Sequence, residues 1–334
     1  MQAWIADNRR RVIVIAVLAA LLLGGFVALH WMTSVPGDPW VGPLPSLRPA
    51  ERDLAQRLRS HVVAIASEPH NTFYPVAYAE AATYIERTLT AEGYKVARQT
   101  FDAGTATNLE AVIEPQATNA TTLVVGAHYD SAGYAPGAND NGTGTAALLE
   151  LARMLSDLRG RAKVRIRLAF FANEEPPHFK TSRMGSLVYA KALTDKGLTP
   201  DAMLSLETLG FYSDEAGSQH YPFPLGVLYP DTANFVAFVG TVSSRSLVQR
   251  AVGSFRSVAQ FPSVGGTAPG FVQGIDWSDH WSFGQTGVPS LMITDTAPFR
   301  YRHYHTRMDT PDKVDFERLA RVTTGLGRML RGWR

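Results

Sequence analysis

The sequence contains no cysteine, which excludes disulfide bridges, thiolate metal ligands and cysteine nucleophiles. Any metal ion in this protein must therefore be held by histidine nitrogens and by oxygen ligands such as carboxylates. An excess of charge of either sign is also absent, because 19% of the 334 residues are charged and the formal net charge is only +2. The sequence has no basic block of the kind that follows a nucleic-acid backbone. We therefore expect no nucleic-acid partner.

Long hydrophobic runs are absent except for one near the N-terminus. The stretch "VIVIAVLAALLLGGFVALHW", residues 12–31, has no acidic or basic side chain other than His30 and directly follows Arg9–Arg11. Its length meets the ~20 residues that a helix needs to cross a bilayer, and it exceeds the ~7–15 apolar residues of a secretory signal. The excess of arginine before the run places the N-terminus in the cytoplasm. We predict an uncleaved, single-pass signal anchor in the lipid bilayer through residues 12–31; a cleaved signal peptide is the alternative.

The composition after this run changes to a stretch rich in proline and glycine, "VPGDPWVGPLPSLR", which cannot continue the helix. We therefore divide the chain into three parts. Residues 1–34 form a cytoplasmic stub and membrane anchor, residues 35–48 form a tether, and residues 49–334 form one catalytic domain outside the cytoplasm, periplasmic or extracellular. Nothing in the sequence bears on the oligomeric state.

Beyond the tether, helical patterns alternate with short β-rich runs. Helices are predicted over residues 50–66, 77–94, 143–158, 183–197 and 315–334. Strands are predicted within residues 95–101, 107–115, 121–130, 164–175, 202–212 and 289–295. The fold class is therefore α/β, a three-layer α/β/α arrangement with a central, mostly parallel mixed sheet flanked by helices. Residues 213–224 and 254–276 are expected to be long loops, with some structure inside them.

Acidic residues and one histidine cluster where three of these strands end. They are His128, Asp130, Asp140, Glu174, Glu175 and Glu207. In open α/β sheets, ligands bind beyond the carboxyl ends of the strands. A single carboxylate there is usually a helix cap or a solvated loop residue, but clustered carboxylates repel one another unless cations neutralise them. Nitrogen and oxygen ligands without sulfur suit Zn²⁺ in an open catalytic site, with Mn²⁺ or Co²⁺ as alternatives.

Spacing within this cluster suggests different roles. Asp130 lies two residues after His128, so both side chains point to the same side of a strand and Asp130 could accept the imidazole N–H. The side chains of Glu174 and Glu175 diverge because the two residues are adjacent. One of them can bind metal while the other takes a proton from bound water.

Five separated stretches carry a resemblance to a known family: "GAHYDS…GANDNGTGTAALLELAR", "FFANEEPP…MGS", "SLETLGFYS", "SDHWSF" and "GVPSLMITDTAPFRYRHYHTRMDTPDKVDFERLARV". The chain resembles the co-catalytic zinc aminopeptidase family from about Pro49 to its C-terminus. This family includes the bacterial leucyl aminopeptidases and the aminopeptidase Y type of metallopeptidase, and it shares its fold with glutaminyl cyclases. The resemblance implies a hydrolase that removes N-terminal residues from peptides with a free N-terminus.

The resemblance also implies the role of each matching residue. Two zinc ions per chain would be held by His128, Asp140, Glu175, Glu207 and His305. Asp140 would bridge the ions, His128 and Glu207 would complete the first site, and Glu175 and His305 the second. Better-known members carry aspartate at the position of Glu207, whose longer side chain can still coordinate. The related cyclases use one zinc ion, so a single ion is the alternative.

Further implied roles concern catalysis. Glu174 would be the general base that takes a proton from a metal-activated water, and the Asp140–Asn141 peptide bond would be cis. Tyr304 would steady the oxyanion, with a packing role as the alternative. Asp130 and Asp279 are expected to contact ligands or the substrate's edge without binding metal. His61, in contrast, has no partner that the sequence suggests, so a surface or capping role is expected.

Three other functions fit parts of the pattern. A glutaminyl cyclase would use the same scaffold as an aminoacyltransferase, and a carboxypeptidase or amidohydrolase could use the same metal site. A binding or scaffold domain without activity would show a decayed set of site residues, whereas every expected position here holds a competent side chain.

Overall fold

The structure is a computed structural model that describes residues 2–334, without the side chains of residues 2–7 and 10. Its strands are β1 (Ala97–Phe101), β2 (Ala106–Ile113), β3 (Thr122–His128), β4 (Arg165–Phe171), β5 (Ala202–Glu207), β6 (Val236–Thr241), β7 (Ser263–Ala268) and β8 (Ser290–Thr294). Its helices are α1 (Gln2–Thr33), α2 (Pro49–Ile65), α3 (Pro75–Ala91), α4 (Gly144–Met154), α5 (Gly185–Asp195), α6 (Arg245–Arg256), α7 (His280–Gly284) and α8 (Phe316–Arg331).

One mixed sheet forms the centre of the domain, with the strand order β1-β2-β4-β3-β5-β8-β6-β7. β4, β3, β5 and β8 are parallel to one another, whereas β2 runs antiparallel to β4 and β6 antiparallel to β8. Helices α2, α4, α6 and α8 pack on one face of the sheet and helices α5 and α7 on the other. The predicted α/β class with helices on both faces is confirmed.

The apolar runs of the central strands follow from burial on both faces. In β3, the side chain of Val125 packs in the larger core with Leu204 of β5. The preceding Val124 packs in the smaller core with Met203 on the opposite face. Because neighbouring side chains alternate between two covered faces, the strands carry few polar residues until they end. The polar residues therefore collect at the strand ends.

Two strands, β6 and β7, were not predicted. Residues 254–276, expected as a long loop, contain the end of α6 and all of β7. β7 reads "SVGGTA", and its glycines hide the usual strand pattern. A Cβ atom at Gly265 would lie 2.5 Å from Val252 Cγ2, so the missing side chain lets α6 approach the strand. Residues 213–224 contain no helix or strand, as expected.

The N-terminal helix α1 contains the predicted apolar run. Residues 11–33 are long and apolar enough to cross a membrane, and none of their most apolar window is buried in the protein. A signal sequence has the same properties. The segment that follows lies along the domain, because Arg321 bonds to the carbonyl of Pro45 and the side chain of Leu44 packs against the larger core.

Candidate metal centre

Three neighbouring strands bring the predicted ligands to one edge of the sheet. His128 is the last residue of β3 and Glu207 the last of β5, while Glu174 follows the end of β4 by three residues. Asp140 lies in the turn between β3 and α4, and His305 comes from the loop after β8. Residues far apart in the sequence thus meet because their strands are adjacent and parallel.

The two carboxylate oxygens of Asp140 face two different histidines. Asp140 Oδ1 lies 3.4 Å from His128 Nε2, which is also 3.3 Å from Glu207 Oε2. Asp140 Oδ2 lies 2.9 Å from His305 Nε2, which is also 3.2 Å from Glu175 Oε1. The five predicted ligands therefore form two groups that share Asp140.

These atoms fit zinc better than they fit one another. His128 Nε2, Asp140 Oδ2 and Glu175 Oε1 are buried and make no hydrogen bond, which is costly unless another partner is present. One ligand atom from each of these residues lies within 4.8 Å of the others. Two ligands of a tetrahedral zinc ion, each about 2.0–2.1 Å from it, lie about 3.3 Å apart. Three of the four separations, from 3.2 to 3.4 Å, match that value, and the fourth, between His305 and Asp140, is shorter at 2.9 Å.

The pKa shifts of the ligand candidates reflect repulsion among the carboxylates and attraction between the carboxylates and the histidines. Burial disfavours the charged form of His128, but Glu207 and Glu174 outweigh it and raise its pKa well above the usual value. Burial also opposes charge on His305, yet the close carboxylates of Asp140 and Glu175 raise its pKa to about 11. Without bound cations, the histidines therefore hold protons where metal ligation would require neutral imidazole.

The pKa values of the three carboxylates among the ligand candidates shift in two directions. Burial, and next the charge of Asp140, raise the pKa of Glu175 to about 8. Burial likewise raises the pKa of Glu207 to about 7. For Asp140, burial acts in the same direction, but the two histidines beside it outweigh burial and lower its pKa. Of these three carboxylates, Asp140 is the one held most firmly in the charged form.

Glu174 differs from the five ligand candidates in its position. Its Oε2 lies 3.9 Å from His128 Nε2, and Glu174 belongs to neither of the two groups around Asp140. Burial, only partly offset by His128, raises the pKa of Glu174 well above its usual value, and Glu207 adds to this effect. A carboxyl group with a raised pKa can act as a base that accepts a proton and releases it again.

The sequence suggested that the Asp130 carboxylate could accept the imidazole N–H of His128, but the backbone carbonyl of Asp130 lies closer to that nitrogen. His128 Nδ1 lies 3.1 Å from the backbone carbonyl of Asp130 and 3.5 Å from its carboxylate. The carboxylate accepts the backbone N–H groups of Glu174 and Glu175, each at 3.0 Å. Asp130 thus fixes the turn after β4 that carries both glutamates, while its carbonyl orients the imidazole.

Asp279 is fully buried beside this cluster, and neither of its carboxylate oxygens makes a hydrogen bond. Burial raises its pKa to about 7, with added repulsion from Asp130 and Glu175. It belongs to neither group of ligand candidates around Asp140.

Asp309 is a residue of the centre that the sequence did not single out. Its carboxylate accepts the backbone N–H of Asn139 at 2.8 Å and of Asp140 at 3.1 Å, and the hydroxyl of Tyr301 at 2.9 Å. These bonds hold the turn in which the Asp140–Asn141 peptide is cis, as the resemblance implied. Asp309 lies in the "YHTRMDTPD" part of the stretches that carry the resemblance, and this position is the sequence signal that could have identified it.

A cleft of about 850 Å³ opens beside the centre. Glu207 and Tyr304 are part of its lining, and its other walls are mostly apolar, including Tyr229, Val264 and Ile275. The ring of Tyr304 stacks on His305 with 3.8 Å between centroids. Burial and the nearby carboxylates raise the pKa of Tyr304, so its hydroxyl remains a hydrogen-bond donor.

Two other histidines, His303 and His61, have contacts outside the two ligand groups. His303 contacts Arg302 and the ring of Tyr301. The expectation for His61 was wrong, because its Nε2 lies 3.2 Å from Glu150 Oε1 and its Nδ1 lies 2.8 Å from the hydroxyl of Tyr84. Its acidic partner comes from another helix, which no local pattern reveals.

The chain is similar in sequence and in fold to known proteins. The sequence model described as Peptidase family M28 matches residues 108–329. The YfbL protein of Escherichia coli (strain K12) is 34% identical over 305 residues, covering 88% of this chain and 92% of YfbL. Aminopeptidase YwaD of Bacillus subtilis (strain 168) is 28% identical over 227 residues, covering 66% of this chain and 43% of YwaD. The LapA aminopeptidase structure from Legionella pneumophila is similar in fold, with a TM-score of 0.65, 15% identity, and coverage of 87% of this chain and 76% of LapA.

Proposed function

This chain belongs to Peptidase family M28, and we propose that it is a zinc-dependent aminopeptidase that removes N-terminal residues from peptides. The observation that carries the proposal is the pair of ligand groups that share Asp140, one with His128 and one with His305. The similarity to YwaD, an aminopeptidase, supports this direction of cleavage.

We assign two zinc ions to each chain. His128, Asp140 and Glu207 would hold one ion, while Asp140, Glu175 and His305 would hold the other. When bound, the ions supply Lewis acidity for the scissile carbonyl and lower the pKa of water at the site. The distances between these side chains and the unpaired atoms among them support the assignment.

Glu174 is the proposed general base. Its carboxylate is buried beside the ligands, and the bond from its backbone N–H to Asp130 fixes where the side chain starts. In this position it would take a proton from the attacking water and pass it to the leaving amine. The Glu174 carboxylate lies 3.9 Å from His128 Nε2 and outside the two groups around Asp140, so it can carry that proton.

The cleft supplies the other requirements of an exopeptidase. Tyr304 would donate its hydroxyl hydrogen to the developing oxyanion, since its high pKa keeps the proton in place. The apolar walls would hold the side chain of the N-terminal residue. The free α-amine would lie near the carboxylates of the centre, which would exclude substrates with a blocked N-terminus.

We also propose that α1 anchors the enzyme in a membrane. Residues 12–31 would span the bilayer, with residues 1–34 as stub and anchor, 35–48 as connecting segment, and 49–334 as the catalytic domain in the periplasm or outside the cell. The exposed, apolar surface of α1 supports this arrangement.

The test is hydrolysis of aminoacyl chromogenic substrates by the full chain, next to the same substrates with an acetylated amine. We expect cleavage of the free-amine series only. The Glu174→Gln variant should lose activity and keep its zinc content, because Glu174 binds no metal in this assignment. Hydrolysis of acetylated or C-terminal substrates, or cyclisation of N-terminal glutamine without hydrolysis, would refute the aminopeptidase assignment.

A further inference from the structure

Hydrogen bonds fix the end of α1 to the catalytic domain. Arg245 Nε donates to the carbonyl of Trp31 at 2.7 Å, and its guanidinium lies 4.4 Å from the centre of the Trp31 ring. Gln249 Nε2 donates to the carbonyl of Ser34 at 3.2 Å. Arg256 donates to the carbonyls of Pro36 and Gly37. The domain therefore has a defined orientation relative to α1.

The edge strand β7 runs beside the end of α1 in the opposite chain direction. Val35 Cγ1 lies 3.3 Å from the position of a Cβ on Gly265, and Thr33 Cα lies 3.5 Å from that position on Gly266. Thr267 Oγ1 donates to the carbonyl of Met32 at 3.1 Å. Later residues of β7 thus lie beside earlier residues of α1, closer to its apolar run. The end of β7 therefore lies beside the last turn of α1.

That chain is an uncharged loop with an exposed aromatic tip. Residues 269–275 read "PGFVQGI", and 90% of Phe271 is exposed. Apolar side chains that are exposed together, rather than singly, mark contact surfaces.

A second uncharged loop reaches the same edge of the sheet. The hydroxyl of Tyr229 donates to the carbonyl of Gly265 on β7, and Tyr221 stacks on Tyr229 with 5.8 Å between ring centroids. The tip between these tyrosines carries Phe223, which is 94% exposed, and Val227, which is 80% exposed. Residues 216–230 contain no Asp, Glu, Lys or Arg.

We propose that these two tips touch the lipid bilayer and that the catalytic cleft opens onto the membrane surface. We call Phe223, Val227, Leu228 and Phe271 the apolar rim. The inference rests on the proposed anchoring by α1. A bilayer is the occupant that the structure favours, because Trp31 marks the level of the membrane interface and the rim lies beside the same end of α1. Aromatic and aliphatic side chains bind readily at that level.

The rim has a consequence for the substrate, because the same loops border the cleft. Tyr221, Leu225 and Tyr229 line it from one loop, and Gln273 and Ile275 from the other. Because both loops touch lipid in this proposal, the mouth of the cleft between them receives peptides that are already bound at the membrane interface. The favoured substrates are therefore amphipathic peptides that partition onto the membrane with a free N-terminus.

The test uses single cysteines, which the natural chain lacks. Phe223→Cys and Phe271→Cys report on the rim, Leu22→Cys on the anchor, and Ala97→Cys on β1 at the opposite edge of the sheet. Each full-length variant is labelled with an environment-sensitive fluorophore and reconstituted in phosphatidylethanolamine–phosphatidylglycerol vesicles. Lipids that carry a quencher then report contact with the bilayer.

We expect strong quenching at positions 22, 223 and 271 and several-fold weaker quenching at position 97. Quenching at position 22 alone would overturn the bilayer contact, and no quenching at position 22 would overturn the anchoring on which it rests. Shielding of positions 223 and 271 from a soluble quencher in detergent, rising with protein concentration and without lipid quenching, would assign the rim to a second copy of the chain and also overturn the proposal.

A second measurement tests the consequence for substrates. The Phe223→Ser, Phe271→Ser double variant should keep its kcat/KM for a soluble aminoacyl substrate and lose it several-fold for a vesicle-bound lipopeptide with a free N-terminus. Equal rates on the lipopeptide would contradict the membrane-facing cleft. Failure of the wild-type protein on both substrates would contradict the peptidase assignment, whereas the quenching result does not depend on activity.

Discussion

Replacing Asp309 with asparagine tests whether a residue that binds neither metal nor substrate positions Asp140. In the native turn, the carboxylate accepts two backbone N–H groups, at 2.8 and 3.1 Å. Asparagine offers only one acceptor oxygen and would turn an NH₂ group towards the other N–H. We therefore expect the Asp309→Asn variant to lose at least one hydrogen bond and to leave a buried N–H unpaired.

The expected magnitudes follow from those two losses. A hydrogen bond contributes about 0.5–1.5 kcal/mol, or about 1.5–3 kcal/mol where the acceptor is charged, and an unpaired buried donor costs about 1–3 kcal/mol. Partial relaxation of the turn would offset some of this, so we expect a loss of roughly 2–4 kcal/mol in the free energy of unfolding of the metal-free protein. Displacement of a ligand's support typically lowers metal affinity about 10–100-fold.

The assay is competition for zinc against a chromogenic chelator, together with urea denaturation of the metal-free protein. Asp312→Asn is the matched control, because it removes an exposed carboxylate from the same loop. Zinc affinity and kcat/KM equal to wild type in Asp309→Asn would refute the claim that Asp309 holds Asp140 in place. A loss of stability with unchanged zinc affinity would show that the turn is braced by Asp309 but that the metal centre does not depend on it.

Two further predictions concern the stability of the scaffold. Gly126→Ala in β3 would bring its Cβ within 2.3 Å of the buried Phe171 ring, so we expect about 1–3 kcal/mol of destabilisation in urea denaturation, and a neutral result would contradict the packing. Burial opposes the charge on Glu150, but His61, Arg153 and Arg57 outweigh it and lower its pKa to about 2. A carboxylate with a lowered pKa stabilises the fold above its unfolded value of about 4.3. The free energy of unfolding of wild type should therefore exceed that of Glu150→Gln by at most roughly 3 kcal/mol above pH 5, and this difference should vanish near pH 2. A difference that stays constant over this pH range would refute the ion-pair account.

The parts of the fold that the sequence predicted are those whose signal is local. β3 and β5 are apolar runs that end in a polar residue, and helices α2 and α3 show apolar residues at helical spacing. β7 carries two glycines because α6 and the end of α1 approach it closely, and such contacts leave no local pattern. The sequence therefore suggested a loop where an edge strand lies.

The residues of the candidate site also differ in whether a local sequence pattern reveals them. His128, Glu174, Glu175 and Glu207 stand at strand ends, which the α/β pattern alone marks as positions for ligands. His305 came from the resemblance, because its loop has no periodicity that places it. Asp309 acts on the backbone of Asp140, 169 residues away in the sequence, and only the packed structure shows that contact.

The measurement that tests the central claim most directly is the return of activity as zinc is added to metal-free protein. Hydrolysis of a free-amine aminoacyl substrate is followed at each addition, and bound zinc is measured in parallel for wild type and Glu174→Gln. The account predicts that activity rises until two zinc ions are bound per chain, and that Glu174→Gln binds the same amount of zinc without hydrolysing the substrate. Activity that is complete with one ion, activity that persists without metal, or a fully active Glu174→Gln variant would contradict it.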